Sequence, residues 1–317
     1  MLVIFSKVLV VFIYVGIGFA ANRLKVLPDE CIKYFTSLIL NIAVPCLMIS
    51  SITGQELNDS MYRNTILILV LSVVIFLFIT ASSSAFADRM FKDIPQQDRN
   101  ILASAMTGCN SGFMGFPVTR AVFGATVFYY VVIQNIANNL YLFVISIPHL
   151  HHRDRKAGGK MSMRELLKPF VNITTITTVI SVIMLFTGIR LPEYAMDIFT
   201  ELGEITIPLS MILVGVQLGS SDFNDIIHNR DLIVTSLVKL IAAPLLVMAI
   251  MSLMPVDPIV RLTVIICTCF PSASLGVATA AKEHMNSGLM AEAVAITTML
   301  SMITLPVWIM VCSKLYL

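Results

Sequence analysis

The stretch Asn41-Ile42-Ala43-Val44-Pro45-Cys46-Leu47-Met48-Ile49 is echoed later in the chain by Glu204-Ile205-Thr206-Ile207-Pro208-Leu209-Ser210-Met211-Ile212. Both stretches read Ile-x-x-Pro-x-x-Met-Ile, and both interrupt apolar runs. Proline lacks a backbone N–H and breaks or kinks a helix. In a bilayer such an interruption is tolerated where other helices or a watered cavity satisfy the freed groups. Matching interruptions in two halves of a membrane protein are typical of transporters with a substrate site at a repeat interface.

The composition indicates a membrane protein. Of the 317 residues, 57% are hydrophobic and only 13% are charged, whereas soluble domains carry roughly 25% charged residues. The six cysteines follow no metal or disulfide spacing. No phosphate-binding loop and no paired nucleophile and base are visible. The sequence therefore predicts an all-α polytopic membrane protein that is not an enzyme and needs no metal, cofactor or nucleic acid.

Apolar runs predict ten transmembrane helices, because about 20 residues cross a bilayer. These runs cover residues 8–22, 34–55, 64–87, 101–119, 121–147, 169–189, 205–221, 232–256, 262–281 and 293–313. The first and seventh helices are expected to begin N-terminal to these apolar runs. Most Lys and Arg residues fall in one alternate set of connections, and the richer set should face the cytoplasm. We therefore expect a multi-pass protein of the cell membrane with both termini extracytoplasmic.

The longest polar connection divides the chain into halves. It covers residues 149–167, contains three histidines and several basic residues, and is interpreted as a solvated cytoplasmic loop. Five helices then lie in residues 1–148 and five in residues 168–317. An odd number of spans per half makes the second half run inverted relative to the first. The expected fold is two inverted five-helix repeats.

Helices four and nine carry a second pair of interruptions. The fourth contains Asn110, Ser111 and Gly112 near its centre, and the ninth contains Pro271, Ser272 and Ser274. These residue types suit a break where backbone amides approach a ligand. If the two broken helices cross, their half-helix N-termini offer unpaired N–H groups and positive dipole ends to an anion, most simply a carboxylate. Close helix packing through small residues is the structural alternative.

Polar residues elsewhere in the spans extend the predicted site. Asn41 and Pro45 come from the repeated stretch, Gln134 from helix five and Gln217 from helix seven. Glu204 occupies the repeat position of Asn41 and is a candidate cation or proton site, because ionisable groups at depth are functional candidates. The alternative is that helix seven starts late and leaves Glu204 in water. Lys239 interrupts helix eight and either pairs with an acid such as Glu204 or adds positive potential to an anion route.

These residues resemble the auxin efflux carrier family. The resemblance is carried by residues 110–117 (NSGFMGFP), 43–45, 207–208 and 270–272, with further echoes at 28–31, 131–134 and 281–283. It implies a bile-acid/auxin carrier-like fold with crossing helices four and nine, a scaffold against which a transport unit moves, and a homodimer. Cys109 stands where plant members have a proline, and their long loop is missing. A bacterial-type member is therefore expected.

The function predicted is secondary transport of a small organic anion by alternating access. The resemblance implies a carboxylate, either malate- or malonate-like or auxin-like. The sequence leaves the coupling ion open between a proton and sodium. Two alternatives remain: a sodium-coupled symporter of the bile-acid type, and a membrane sensor that binds an anion without moving it. Flux through reconstituted vesicles separates the three.

Overall fold

The structure is a computed structural model that describes residues 2–55, 58–142, 173–221 and 226–317. The described residues are helical, with short connections. Six helices, some with an internal π-helical turn or break, are long and apolar enough to cross a membrane: Ile4–Arg23, Cys31–Thr53, Asp59–Met90, Glu193–Ser220, Arg230–Ser252 and Ser287–Tyr316. Ile173–Thr187 and Pro258–Thr268 are shorter apolar helices. The predicted basic loop at 149–167 lies outside the described residues.

Outward-facing side chains confirm the membrane assignment. On the first helix, Leu9, Ile13 and Ile17 are each about half exposed. The helices Asp59–Met90 and Ile173–Thr187 expose similar apolar rows. Apolar surface of this extent is a liability in water, whereas lipid tails solvate it. The chain is therefore a multi-pass membrane protein.

The contacts divide the chain into two compact units. Unit 1 comprises Met1–Ile68, Ser111–Asn135 and Val171–Ser221, and unit 2 comprises Leu69–Asn110, Ile136–Phe170 and Asp222–Leu317. This division does not follow the predicted repeat boundaries, which stay a prediction. The elements in chain order are α1 Leu2–Arg23, α2 Cys31–Leu38, α3 Val44–Thr53, α4 Asp59–Met90, α5 Gln96–Thr107, α6 Phe116–Phe123, α7 Ala125–Leu140, α8 Ile173–Thr187, α9 Glu193–Glu204, α10 Thr206–Ser220, α11 Arg230–Leu237, α12 Ala243–Ser252, α13 Pro258–Thr268, α14 Leu275–Lys282 and α15 Ser287–Tyr316.

Unit 1 is organised by close backbone approach. Helix α1 packs along α10, and α3 packs against α8 and α9. A Cβ atom added to Gly18 would lie 2.1 Å from the carbonyl oxygen of Ile212, and one added to Gly215 would lie 2.1 Å from that of Val15. Small residues permit such contacts between membrane helices. Glycine at these two positions therefore sets the α1–α10 distance.

Among the described residues, three π-helical turns each end two residues before a proline. They cover Ile39–Ala43, Ser111–Gly115 and Val238–Ala242, and the prolines are Pro45, Pro117 and Pro244. The proline ring clashes with the carbonyl four residues earlier and leaves it without a donor. A wider turn accommodates this inside a helix. The repeated stretch thus takes two forms, because Pro45 follows a π turn whereas Pro208 follows a break at Ile205.

Unit 2 shows how one freed carbonyl is satisfied. Pro244 cannot donate to the carbonyl of Leu240, and the indole Nε1 of Trp308 donates to that oxygen instead at 2.8 Å. Trp308 lies on α15, which packs against α5, α11, α13 and α14. The interior of this unit is a buried apolar cluster: Ala87, Phe91, Ile101, Leu102, Ala103, Ala105, Met106, Ile226, Leu232, Ala280, Met285, Met290, Ala293 and Ile296.

Candidate functional site: two contacting helix breaks

The predicted breaks in helices four and nine are confirmed. Helix α5 ends at Thr107, residues 108–110 are not helical, and a π turn begins at Ser111. Helix α13 ends at Thr268, residues 269–274 are not helical, and α14 begins at Leu275. Both non-helical segments belong to unit 2. Breaks at these positions leave backbone groups that the helices themselves cannot satisfy.

The two breaks contact each other through the predicted residues. The backbone N–H of Asn110 donates to the carbonyl of Pro271 at 2.9 Å. The Asn110 side-chain Nδ2 donates to Ser274 Oγ at 3.0 Å. The Ser272 hydroxyl donates to the carbonyl of Ala105 at 2.7 Å, at the end of α5. Asn110, Pro271, Ser272 and Ser274, proposed from sequence alone, therefore lie together.

The sequence predicts that the breaks present backbone N–H groups without hydrogen-bond partners. For three of these N–H groups the prediction is wrong. The N–H of Asn110 is bonded to Pro271, that of Cys109 donates to Asn138 Oδ1 at 3.2 Å, and that of Ser272 donates to Thr297 Oγ1 at 3.2 Å. Asn138 Nδ2 also donates to the Cys109 carbonyl at 3.0 Å. The freed groups of a broken membrane helix must be satisfied by protein or water, and here side chains of neighbouring helices do so.

Gly108 and Gly112 differ in their surroundings. A Cβ atom at Gly108 would come within 3.2 Å of the Ala273 Cβ, in the other break, whereas one at Gly112 would meet nothing within 4 Å. Gly108 thus permits the close approach of the two breaks. Close packing of another residue against the glycine is therefore observed at Gly108 and not at Gly112.

Lys239 supplies a positive charge beside the breaks. It lies in the π turn Val238–Ala242 and is only 1% exposed. Its Nζ donates to the Thr107 carbonyl at 3.3 Å and lies 3.2 Å from Cys109 Sγ. The negative end of the α5 dipole favours a cation at that carbonyl. Within the described part of the chain, Lys239 is the only charged side chain that is buried.

Lys239 has no acidic partner among the described residues of unit 2. Both of its partners are uncharged groups of the break, the Thr107 carbonyl and the Cys109 thiol. Glu204 belongs to unit 1 and Lys239 to unit 2, and the predicted salt bridge with an acid such as Glu204 stays a prediction. A buried charge without a counter-ion costs several kcal/mol. Such a cost is typical of a site that binds a ligand of opposite charge.

The other predicted residues belong to unit 1. Ser111 and Gln134 are buried, and within the described residues Ser111 Oγ and Gln134 Oε1 have no hydrogen-bond partner. Asn41 is exposed and donates to Ser37 Oγ at 3.0 Å. The remaining three are Gly112, partly exposed; Pro45, buried after its π turn; and Gln217, partly exposed. Their roles stay predictions.

Glu204 lies at the edge of a cavity within unit 1. The cavity has a volume of about 290 Å³ and is lined by Tyr14, Leu47, Arg120, Glu204, Ile207 and Pro208. The helix begins at Glu193, which confirms the backward extension of the seventh span. Glu204 is exposed, and its predicted role as a cation or proton site stays a prediction. Arg120 brings a positive charge to the same cavity.

The sequence does not single out Arg120 or Thr297. Arg120 reads as a charge between two spans, although it lines the cavity of Glu204. Asn138 lies one helical turn after Gln134, and the i, i+4 spacing marks both as members of one polar face. Thr297 looks like any small residue of an apolar span. Its hydroxyl accepts from Ser272 N–H only because α15 passes that break.

Comparison with known proteins agrees with this architecture. Residues 3–309 match the model of the membrane transport protein family. An uncharacterized transporter of Methanothermobacter thermautotrophicus is 25% identical over 304 residues, which cover 96% of each chain. An uncharacterized transporter of Methanocaldococcus jannaschii is 22% identical over 307 residues, covering 95% of this chain and 96% of the relative. The uncharacterized transporter YfdV of Escherichia coli is 21% identical over 302 residues, covering 93% of each chain. The chain therefore belongs to the membrane transport protein family, the auxin efflux carriers, and is a transporter rather than an enzyme.

Proposed function

We propose that this transporter is a secondary carrier that moves a small organic anion across the membrane by alternating access. The observation that carries the proposal is Lys239, a buried lysine beside two contacting helix breaks, with no acidic partner among the described residues of its unit. An anion would offset the cost of that buried charge. A cation carrier would need the opposite: acidic and amide ligands around the breaks. The substrate class is a carboxylate, malate- or malonate-like or auxin-like.

The proposed site consists of Asn110, Ser272 and Ser274 with the backbone of the breaks, and Lys239 as counter-charge. The Asn110 amide bonds to the Ser274 hydroxyl at 3.0 Å. Both groups can donate to a carboxylate if they exchange this mutual bond for bonds to the ligand. Ser111, Gly112 and Gln134 of unit 1 are further proposed binding residues, and the buried Ser111 hydroxyl and Gln134 carbonyl oxygen have no partner within the described residues.

The finer architecture belongs to the same proposal. It comprises ten transmembrane helices in two inverted repeats, 1–148 and 168–317, with the loop 149–167 between them. Both termini are extracytoplasmic in the cell membrane, and two copies form a homodimer. Support comes from the paired breaks of helices four and nine and from the family resemblance. Inverted repeats are common in secondary transporters that bind substrate at broken helices.

Counterflow in reconstituted vesicles tests the function. Vesicles loaded with unlabelled malate, malonate or an indole carboxylate should take up the labelled form of the same acid. A melting-temperature screen of the purified protein against these acids identifies which are bound, since a ligand stabilises the state that it binds. Binding without counterflow would indicate a sensor. Counterflow that vanishes without sodium would indicate a sodium-coupled symporter.

We expect Asn110→Ala to lower counterflow about 10- to 100-fold. A hydrogen bond to a charged group is worth about 1.5–3 kcal/mol, and about 1.4 kcal/mol corresponds to tenfold in affinity. Concentration dependence of counterflow measures the loss, and the melting temperature without ligand shows whether the variant is folded. The control is Asn139→Ala, a partly exposed amide on the last turn of α7. Unchanged transport by Asn110→Ala would remove Asn110 from the site.

We expect Glu204→Gln to change the dependence of transport on pH or on sodium. The carboxylate lines the unit 1 cavity with Arg120, and its removal deletes the group proposed to take up the coupling cation. Initial rates at several pH values, with and without sodium, measure the effect. Glu201→Gln is the matched control, because Glu201 is also exposed on α9. Identical profiles for Glu204→Gln and the unmodified carrier would leave Glu204 with a structural role only.

A further inference from the structure

The contact between Lys239 and Cys109 has a chemistry that anion binding does not use. Lys239 Nζ and Cys109 Sγ are 3.2 Å apart. The two side chains are 1% and 2% exposed, respectively. A lysine nitrogen and a thiol sulfur at this distance are within reach of a single bridging atom, and both can be oxidised once the nitrogen has lost its proton.

Neighbouring groups position the backbone of Cys109 and the amine of Lys239. Asn138 binds the N–H and the carbonyl of Cys109, at 3.2 and 3.0 Å. The Thr107 carbonyl accepts from Lys239 Nζ at 3.3 Å. Reactants held in one geometry react as if at very high concentration. The Cys109 thiol also donates to the Thr107 carbonyl, at 3.6 Å. The thiol of Cys269, in the other break, donates to the Ile265 carbonyl at 3.3 Å.

We propose that Cys109 and Lys239 form a redox-controlled cross-link in which one oxygen atom joins the lysine nitrogen to the cysteine sulfur, with dioxygen as the oxidant. The Lys239 ammonium first releases a proton to water; the resulting amine then gives up one N–H hydrogen and the thiol gives up its hydrogen. One atom of O2 is inserted to make the N–O and O–S bonds, and the other leaves as water. Nitrogen and sulfur are oxidised while O2 is reduced. Dioxygen is apolar and dissolves in the bilayer, so burial does not exclude it.

The cross-link would stop the carrier. A nitrogen bonded to oxygen is a weak base and is uncharged at neutral pH, so the bridge removes the counter-charge proposed for the anion. It also ties the break after α5 covalently to the π turn of Lys239. This consequence rests on the proposed function, whereas formation of the bond does not. Reduction by two equivalents of a dithiol would supply the four electrons that restore the amine and the thiol, with the bridging oxygen leaving as water.

Mass spectrometry of the purified carrier tests the bond. Protein equilibrated with air and digested without reductant should yield a linked peptide pair containing Cys109 and Lys239. Its mass should equal the two peptides plus one oxygen and minus two hydrogens. Dithiothreitol should separate the pair, and anaerobic preparation should prevent it. Cys109→Ser and Lys239→Arg should each abolish the pair, whereas Cys269→Ser should retain it.

Three results would overturn the proposal. They are an unlinked Cys109 thiol after exposure to air, a pair that lacks the added oxygen, and a disulfide of Cys109 with another cysteine. Counterflow provides a second test. Exposure to air should lower the anion flux several-fold, and dithiothreitol should restore it. Cross-linking without any effect on flux would refute the regulatory role. Absence of anion flux even under reduction would refute the proposed function and leave the cross-link measurement valid.

Discussion

Lys239→Gln is expected to lower anion counterflow by about 100-fold while the protein remains folded. Truncating one member of a buried charge pair costs about 2–5 kcal/mol, and the anion would lose its counter-charge. The melting temperature of the ligand-free variant should be equal or higher, because a buried charge without a counter-ion is costly. A loss of transport together with retained or raised stability is characteristic of a binding residue, because functional sites are built at the expense of stability.

Two further variants make the Lys239 result specific. Lys239→Arg keeps the positive charge and should retain more flux than the glutamine variant. Lys282→Gln removes an exposed lysine at the end of α14 and should leave flux unchanged. Full counterflow by Lys239→Gln would contradict the anion site. A large fall in melting temperature would instead show that the bonds to Thr107 and Cys109 are structural.

Gly18→Ala is expected to destabilise the folded protein by about 3 kcal/mol or to prevent folding, since overpacking costs about 1–3 kcal/mol and occasionally more. The added Cβ would lie 2.1 Å from the Ile212 carbonyl oxygen, so α1 and α10 would have to separate. The atom that the added Cβ contacts belongs to the backbone, and the backbone cannot rotate away as a side chain can. Thermal unfolding of purified protein in detergent measures the effect.

Gly16→Ala is the matched control on the same helix. Nothing lies within 4 Å of a Cβ atom there, and alanine is favoured over glycine in a helix by about 0.5–1 kcal/mol. This variant should therefore unfold at an equal or slightly higher temperature. Equal melting of the two variants would show that the α1–α10 contact does not depend on the glycine.

The breaks give the proposed site its rigidity. Asn138, Thr297 and Pro271 satisfy the amides of Cys109, Ser272 and Asn110. A ligand would therefore meet a frame that is already bonded, in which few groups need to reorient. Preorganisation of this kind lowers the entropic cost of binding. It also means that the donors left for an anion are side chains, chiefly the Asn110 amide, the Ser274 hydroxyl and the Lys239 ammonium.

The amino-acid sequence by itself determined the helical segments and the places where they are interrupted. Apolar runs reveal membrane spans because lipid requires about 20 apolar residues and internal satisfaction of the backbone. Proline and glycine mark interruptions because their effect on the backbone is local. Hence the start of α9 well before the apolar run and the breaks at 108–110 and 269–274 were predictable.

Only the tertiary structure decided which groups satisfy each interruption. Pro244 implies a freed carbonyl at Leu240, but only the packing of α15 supplies Trp308 as its donor. Composition places Lys239 in a span, yet its partners, Thr107 and Cys109, come from a distant helix. Partners so far apart in sequence depend on how helices pack, and periodicity reports only which face of a helix is apolar.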